Sequence, residues 1–129
     1  MVSTVSLETG LEATVELVIS DADTARAMRS GEVDVLATPR LIALFEEASM
    51  MATSGRLEAG RTTVGLSVQI DHLRPVAVGD TVVAESHLDK IDGRRLHFSV
   101  AARDARGLIA AGRVTRVVVD IDHFLEKCS

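Results

Sequence analysis

A chain of 129 residues with a formal net charge of −5 is the size of one domain around one core, and residues 1–129 are read here as such a domain. Its 47% hydrophobic and 26% charged residues exclude intrinsic disorder, and its single cysteine, Cys128, excludes an internal disulfide. The absence of Asn rules out a Cys-His-Asn protease site, and an acidic balance without Trp or Tyr argues against nucleic-acid binding.

Twelve of the fourteen cations are Arg, the side chain suited to gripping phosphate, so phosphorylated small molecules stay eligible as ligands. The opening residues, MVSTVSLETG, lack the basic start and apolar run of a signal peptide. No stretch approaches the roughly 20 apolar residues of a membrane span. The expectation is a cytoplasmic protein with no membrane contact.

Periodicity orders the elements. Leu11, Ala13, Val15, Leu17 and Ile19 alternate with polar residues, the two-residue period of a half-buried strand. Asp21 to Gly31 is polar, with a short helical turn expected after Asp23. Thr38-Pro39 places a capping hydroxyl before a proline suited to the first helical position. Leu41, Leu44, Phe45, Ala48 and Ala52 then recur at helical spacing, with an end expected near Gly55.

The period then returns to two. Val64, Leu66, Val68 and Ile70 are expected to share one face, continuing to His72 before Pro75. Turn signals at Val78-Gly79-Asp80, Asp92-Gly93 and Ala105-Arg106-Gly107 separate three further strands, near Thr81–Leu88, Arg94–Arg103 and Leu108–Ile121. One long amphipathic helix followed by a meander predicts an α+β domain whose mainly antiparallel sheet covers the helix. The run Val117-Val118-Val119 is apolar on both faces, and a second subunit is one way to cover it.

Several polar residues interrupt these patterns. Thr38 reads as a helix cap or as a reactive hydroxyl. At about 100° per residue Glu46 falls on the side of Thr38, Ile42 and Ser49 while Glu47 falls on the opposite flank, so the two glutamates cannot share a role. Glu46 taken alone reads equally as a solvated carboxylate. His72 occupies the inward phase of its strand, as either a satisfied core histidine or a functional one. The four histidines show none of the close spacings of a zinc site, so no metal is expected. Asp92 and His97 read as hairpin turn and outward-facing residue, and Arg94-Arg95 as the solvated start of a strand. Arg116 lies between Val114 and Val118 on one face, which calls for an anionic partner: an Asp or Glu of the chain, or a ligand.

The segment Ala37-Thr38-Pro39, then Glu46, Gly65 and His72, followed by Gly112-Arg113-Val114-Thr115-Arg116, resembles the hot-dog-fold thioesterases of the fluoroacetyl-CoA thioesterase type. The resemblance covers roughly residues 35 to 125 and rests on spacing: Thr38, Glu46 eight residues on and His72 twenty-six after that, with no insertion. It implies a hot-dog domain that hydrolyses a small or medium acyl-CoA, without a cofactor, as a homodimer with active sites at the subunit boundary. It further implies catalytic roles for Thr38, Glu46 and His72, a place for Gly65 beside the acyl group, and one for Arg116 near the coenzyme A arm. A non-catalytic module binding acyl-CoA or an acyl carrier is the rival reading. Where the family has aromatic lid residues this chain has Arg29 and Glu32, and Pro39 replaces a small residue. A fluoroacetyl specialisation is therefore not expected, and Ile42, Leu66 and Val68 are expected to line the acyl pocket.

Overall fold

Half-buried Ala13, Val15 and Leu17 alternate with exposed neighbours to make strand β1, Glu12–Val18, in a computed structural model that describes residues 7–129. Residues 1–6, part of the opening segment in which a signal peptide was not expected, lie outside the described residues. A single 3₁₀ turn at Asp21–Asp23 follows, and then helix α1, Thr38–Ala52. Four strands complete the sheet: β2 Arg61–His72, β3 Thr81–Asp92, β4 Arg95–Asp104 and β5 Gly107–Asp120. A six-residue helix, α2 Ile121–Glu126, ends the chain; it was not expected from the pattern, and Asp120 caps it by accepting from the His123 N–H.

The five strands form one sheet in the order β1-β3-β4-β5-β2, with every pairing antiparallel. The turn expected at Asp92-Gly93 closes the β3–β4 hairpin: Asp92 pairs with Arg95, and Gly93 takes φ 59°, a value glycine adopts without cost. His97 lies on the outer face between buried Leu96 and Phe98, in the phase expected of it.

The sheet's inner face closes over α1. Leu41, Leu44, Phe45 and Ala48 of the helix are buried against a core that includes Val82, Ala84 and Leu88 of β3, Leu96, Phe98 and Val100 of β4, and Val114 of β5. Each large apolar side chain in this layer contributes roughly 1.5–3 kcal/mol. One polar contact crosses it: Ser49 donates to the Phe45 carbonyl at 2.8 Å, and its oxygen lies 2.8 Å from that of Ser86, with both residues buried. Of the valine run, Val118 turns inward, while Val117 and Val119 remain half-exposed on the outer face.

Two local features differ from the sequence pattern. The N-cap of α1 is Ala37, not Thr38. Thr38 is the first helical residue and makes no capping hydrogen bond. In β2 the register shifts between Gly65 and Ser67, so Leu66 forms a bulge. The bulge reverses the strand's phase. Thr63 and Gly65 before it share the inner face with Val68, Ile70 and His72 after it, whereas Leu66 is 52% exposed. The single uninterrupted face expected for Val64, Leu66, Val68 and Ile70 is therefore broken in two.

Candidate active site

Proline at the second helical position and the capless entry at Ala37 leave the Thr38 hydroxyl free of the helix backbone. It meets His72, at the end of β2, with Oγ1 2.8 Å from Nδ1. When the imidazole carries its proton on Nε2, the threonine hydroxyl is the donor of this bond. Nε2 is buried and makes no hydrogen bond among the described residues. Burial holds the His72 pKa below its ordinary value, opposed by the Arg74 backbone, which favours the neutral ring.

A polar clamp fixes the helix start that carries Thr38. The Ala37 N–H donates to the Asp23 carbonyl at 2.9 Å, and Arg40 Nε donates to Asp23 Oδ1 at 2.9 Å. Asp23 also accepts from the N–H and hydroxyl of Ser20 at 2.8 and 2.9 Å. Burial alone would raise the Asp23 pKa, but these bonds from Ser20 and Arg40 outweigh it and hold the carboxyl below its ordinary value.

A second cluster lies further along α1. Glu46, half-buried, receives a hydrogen bond from Arg116 Nη1 to Oε2 at 3.1 Å. Arg116 is 7% exposed, and it donates from Nε to Thr63 Oγ1 at 2.9 Å and from Nη2 to the Thr63 carbonyl at 2.8 Å. Burial draws the Arg116 pKa down and Glu46 opposes this. Gly65 faces the same carboxylate, and a Cβ built there would overlap Glu46 Oε2. Arg116, expected beside the coenzyme A arm, thus has its guanidinium turned to residues of its own chain.

The fold brings Thr38 to His72, and Glu46 to Gly65 and Arg116, but one chain does not join the two groups. Eight residues of helix separate Thr38 from Glu46 by about 12 Å along the axis, and no hydrogen bond links Glu46 to Thr38 or His72 among the described residues. Glu47 points to solvent on the other flank, as expected.

Thr38 and His72 form one wall of a cavity of ≈ 330 Å³ whose apolar lining includes Val33, Val35, Leu36 and Leu73. Ile42, Leu66 and Val68, expected to line the acyl pocket, are absent from this lining. In the case of Leu66 the bulge is the reason. Thr63 was missed altogether, since Thr62-Thr63 reads as ordinary strand sequence. The one signal for it was Gly65, a residue that weakens a strand unless something approaches closely. Among the described residues no cluster of His, Cys, Asp and Glu could hold a metal ion, and no helix is long and apolar enough to cross a membrane.

Residues 19–122 match the sequence profile of a family described as fluoroacetyl-CoA-specific thioesterase. The fluoroacetyl-CoA thioesterase of Streptantibioticus cattleyicolor is 31% identical over 94 residues, which span 73% of this chain and 68% of that protein. A solved structure of the fluoroacetyl-CoA thioesterase FlK superposes with a TM-score of 0.90 at 26% identity, covering 95% of this chain and 96% of the other. A thioesterase superfamily member from Thermus thermophilus gives a TM-score of 0.87 at 28% identity, covering 94% and 90%.

Proposed function

Because the chain belongs to the fluoroacetyl-CoA-specific thioesterase family, we propose that Thr38 and His72 form the reaction centre of a thioesterase for small and medium acyl groups. The domain has the hot-dog fold, and the protein is an acyl-CoA thioesterase that hydrolyses the thioester to a free acid and coenzyme A. The observation that carries the assignment of the centre is the 2.8 Å contact between a threonine hydroxyl and an imidazole at the wall of a cavity.

Hydrolysis needs an oxygen that adds to the thioester carbonyl, a base for its proton and donors for the developing oxyanion. His72 accepts the proton as the oxygen, from the Thr38 hydroxyl or a water bound to it, adds to the carbonyl carbon. The carbon–sulfur bond then breaks, and the same proton passes to the departing sulfur. Where the threonine oxygen was the one that added, a water then adds to the acyl-threonine, its proton passing through His72 to the threonine oxygen as the acid leaves. In this reading the oxyanion donors are backbone N–H groups near the start of α1, those of Thr38 or Arg40, since Pro39 has none. Glu46 is the carboxylate of the reaction, either attacking the thioester to give a mixed anhydride that water then hydrolyses, or orienting and activating water.

The working unit of this proposal is a cytoplasmic homodimer of single-domain chains. Strand β2 is an open sheet edge with an exposed leucine, Leu66, and such edges are normally covered. Pairing two copies allows the Glu46 cluster of one to complete the Thr38–His72 pair of the other. His72→Ala and Glu46→Ala chains, each inactive alone, should regain turnover when unfolded together and refolded as a mixture. Sedimentation should give a dimer at micromolar concentration. A fully active monomer would refute this arrangement.

The cavity also sets substrate choice. The aliphatic part of its lining, Val33, Val35 and Leu73, accepts methylenes, each worth about 0.8 kcal/mol when buried. Arg29 and Glu32, where the family resemblance expects aromatic lid residues, are exposed. kcat/KM should rise at least about tenfold from acetyl-CoA to acyl groups of roughly four to eight carbons or an aryl ring, with no preference for fluoroacetyl over acetyl. Initial rates with fluoroacetyl-, acetyl-, butyryl-, hexanoyl- and phenylacetyl-CoA make the comparison. A fluoroacetyl-to-acetyl ratio on the order of thousands would overturn it.

A further inference from the structure

We propose that Thr63 is a positioning residue for the reaction: it clamps Arg116 at two points so that the guanidinium grips one oxygen of Glu46 and leaves the other free. The inference rests on the reading of Glu46 as the working carboxylate of the thioesterase.

The geometry is specific. Thr63 accepts from Arg116 twice, through its side-chain oxygen and through its own carbonyl, at 2.9 and 2.8 Å. A guanidinium is planar, so two contacts to one residue fix the plane as well as the position. The remaining arm, Nη1, is thereby aimed at Glu46 Oε2. Glu46 Oε1 takes no hydrogen bond from the described residues, which leaves it available to a water or a thioester carbon. Both clamp residues are buried, Thr63 at 5% and Arg116 at 7% exposure, so water does not compete for these bonds.

The bulge at Leu66 makes the arrangement possible. Thr63 and His72 are nine residues apart, an odd number that would place them on opposite faces of a regular strand. The extra residue restores them to one face. Gly65, between Thr63 and the bulge, has no Cβ to displace the Glu46 carboxylate. Thr63, Gly65 and the bulge at Leu66 thus serve one side chain on another element.

A purely structural tie between β2 and β5 would use the same bonds, and kinetics separates the two roles. Thr63→Val keeps the shape and the carbonyl but removes the hydroxyl oxygen. It should lower kcat by about ten- to a hundredfold, the scale of a small misplacement of a reacting group, with KM nearly unchanged. Thr63→Ser should restore kcat. In a Glu46→Gln background, Thr63→Val should have no further effect on the residual kcat, because the residue acts through Glu46. Thr63→Ala removes the same oxygen and replaces the valine variant if that fails to fold. Glu46→Gln inactive while Thr63→Val or Thr63→Ala retains wild-type kcat would overturn the clamp alone. Glu46→Gln at wild-type kcat would remove the role of Glu46 and the clamp together, whereas a fall in melting temperature with kcat unchanged would make Thr63 a structural tie only.

Discussion

Alanine at His72 should lower kcat by about 10²–10⁴-fold, the range for loss of a positioned general acid–base group. Thr38→Ala should fall in the same range, and the double variant should be little worse than either single one, because the two residues share one 2.8 Å contact and one step. Glu47→Ala is the control: its side chain is exposed on the other flank of α1, and turnover should be unchanged. The pH profile carries the same signature. Burial lowers the His72 pKa, so the active neutral ring persists below the ordinary histidine range, and kcat/KM should fall on the acid side only beneath about pH 6.5. The shift has a sign for stability too. A folded pKa below the unfolded one means that stability is full above the unfolded value and is lost as pH falls from there through the folded value. His72→Ala should remove that part of the acid sensitivity. Loss of activity in Glu47→Ala, or full activity in His72→Ala, would contradict the assignment.

The largest expected loss of stability is at Phe45, next to Glu46 in sequence but turned into the core. It is fully buried between α1 and the sheet. Phe45→Ala should cost about 3–5 kcal/mol, the transfer of the ring plus the cavity left behind. In a domain of this size that corresponds to a fall in Tm on the order of 10 °C or more. Glu47→Ala, changing a solvated residue on the same helix, should stay within about 0.5 kcal/mol. Urea or thermal unfolding of the three chains side by side decides it, and a loss below about 1 kcal/mol for Phe45→Ala would show that the helix is not packed as described.

Much of this molecule was legible in its sequence because burial imposes a period. The alternation of Ala13, Val15 and Leu17 marks β1, and the spacing of Leu41, Leu44, Phe45 and Ala48 marks the inner face of α1. Glycine at Gly93 marked the β3–β4 turn, because φ 59° suits few other residues. What escaped was non-local. The Leu66 bulge is a single extra residue in a run whose composition is uniformly strand-like, and only pairing with β5 reveals it. Thr38 looked like a cap because a hydroxyl before proline usually is one. Its actual partner, His72, lies 34 positions away in the chain. Arg116 clearly needed an anion, but nothing in the order of residues says that Glu46 is the anion or that Thr63 supplies two acceptors. The spacing of Thr38, Glu46 and His72 pointed to the family, while the division of these residues into two clusters appears only in three dimensions.

The central claim, that this domain turns over acyl-CoA at the Thr38–His72 pair, is tested most directly by free-thiol release from butyryl- or hexanoyl-CoA. The wild-type chain and His72→Ala are compared at equal concentration, with ligand binding followed in parallel. The account predicts steady release by the wild type and a loss of about 10²–10⁴-fold in the variant, with binding retained in both. Tight binding of the acyl-CoA by the wild type without thiol release would contradict it and identify a binding module instead.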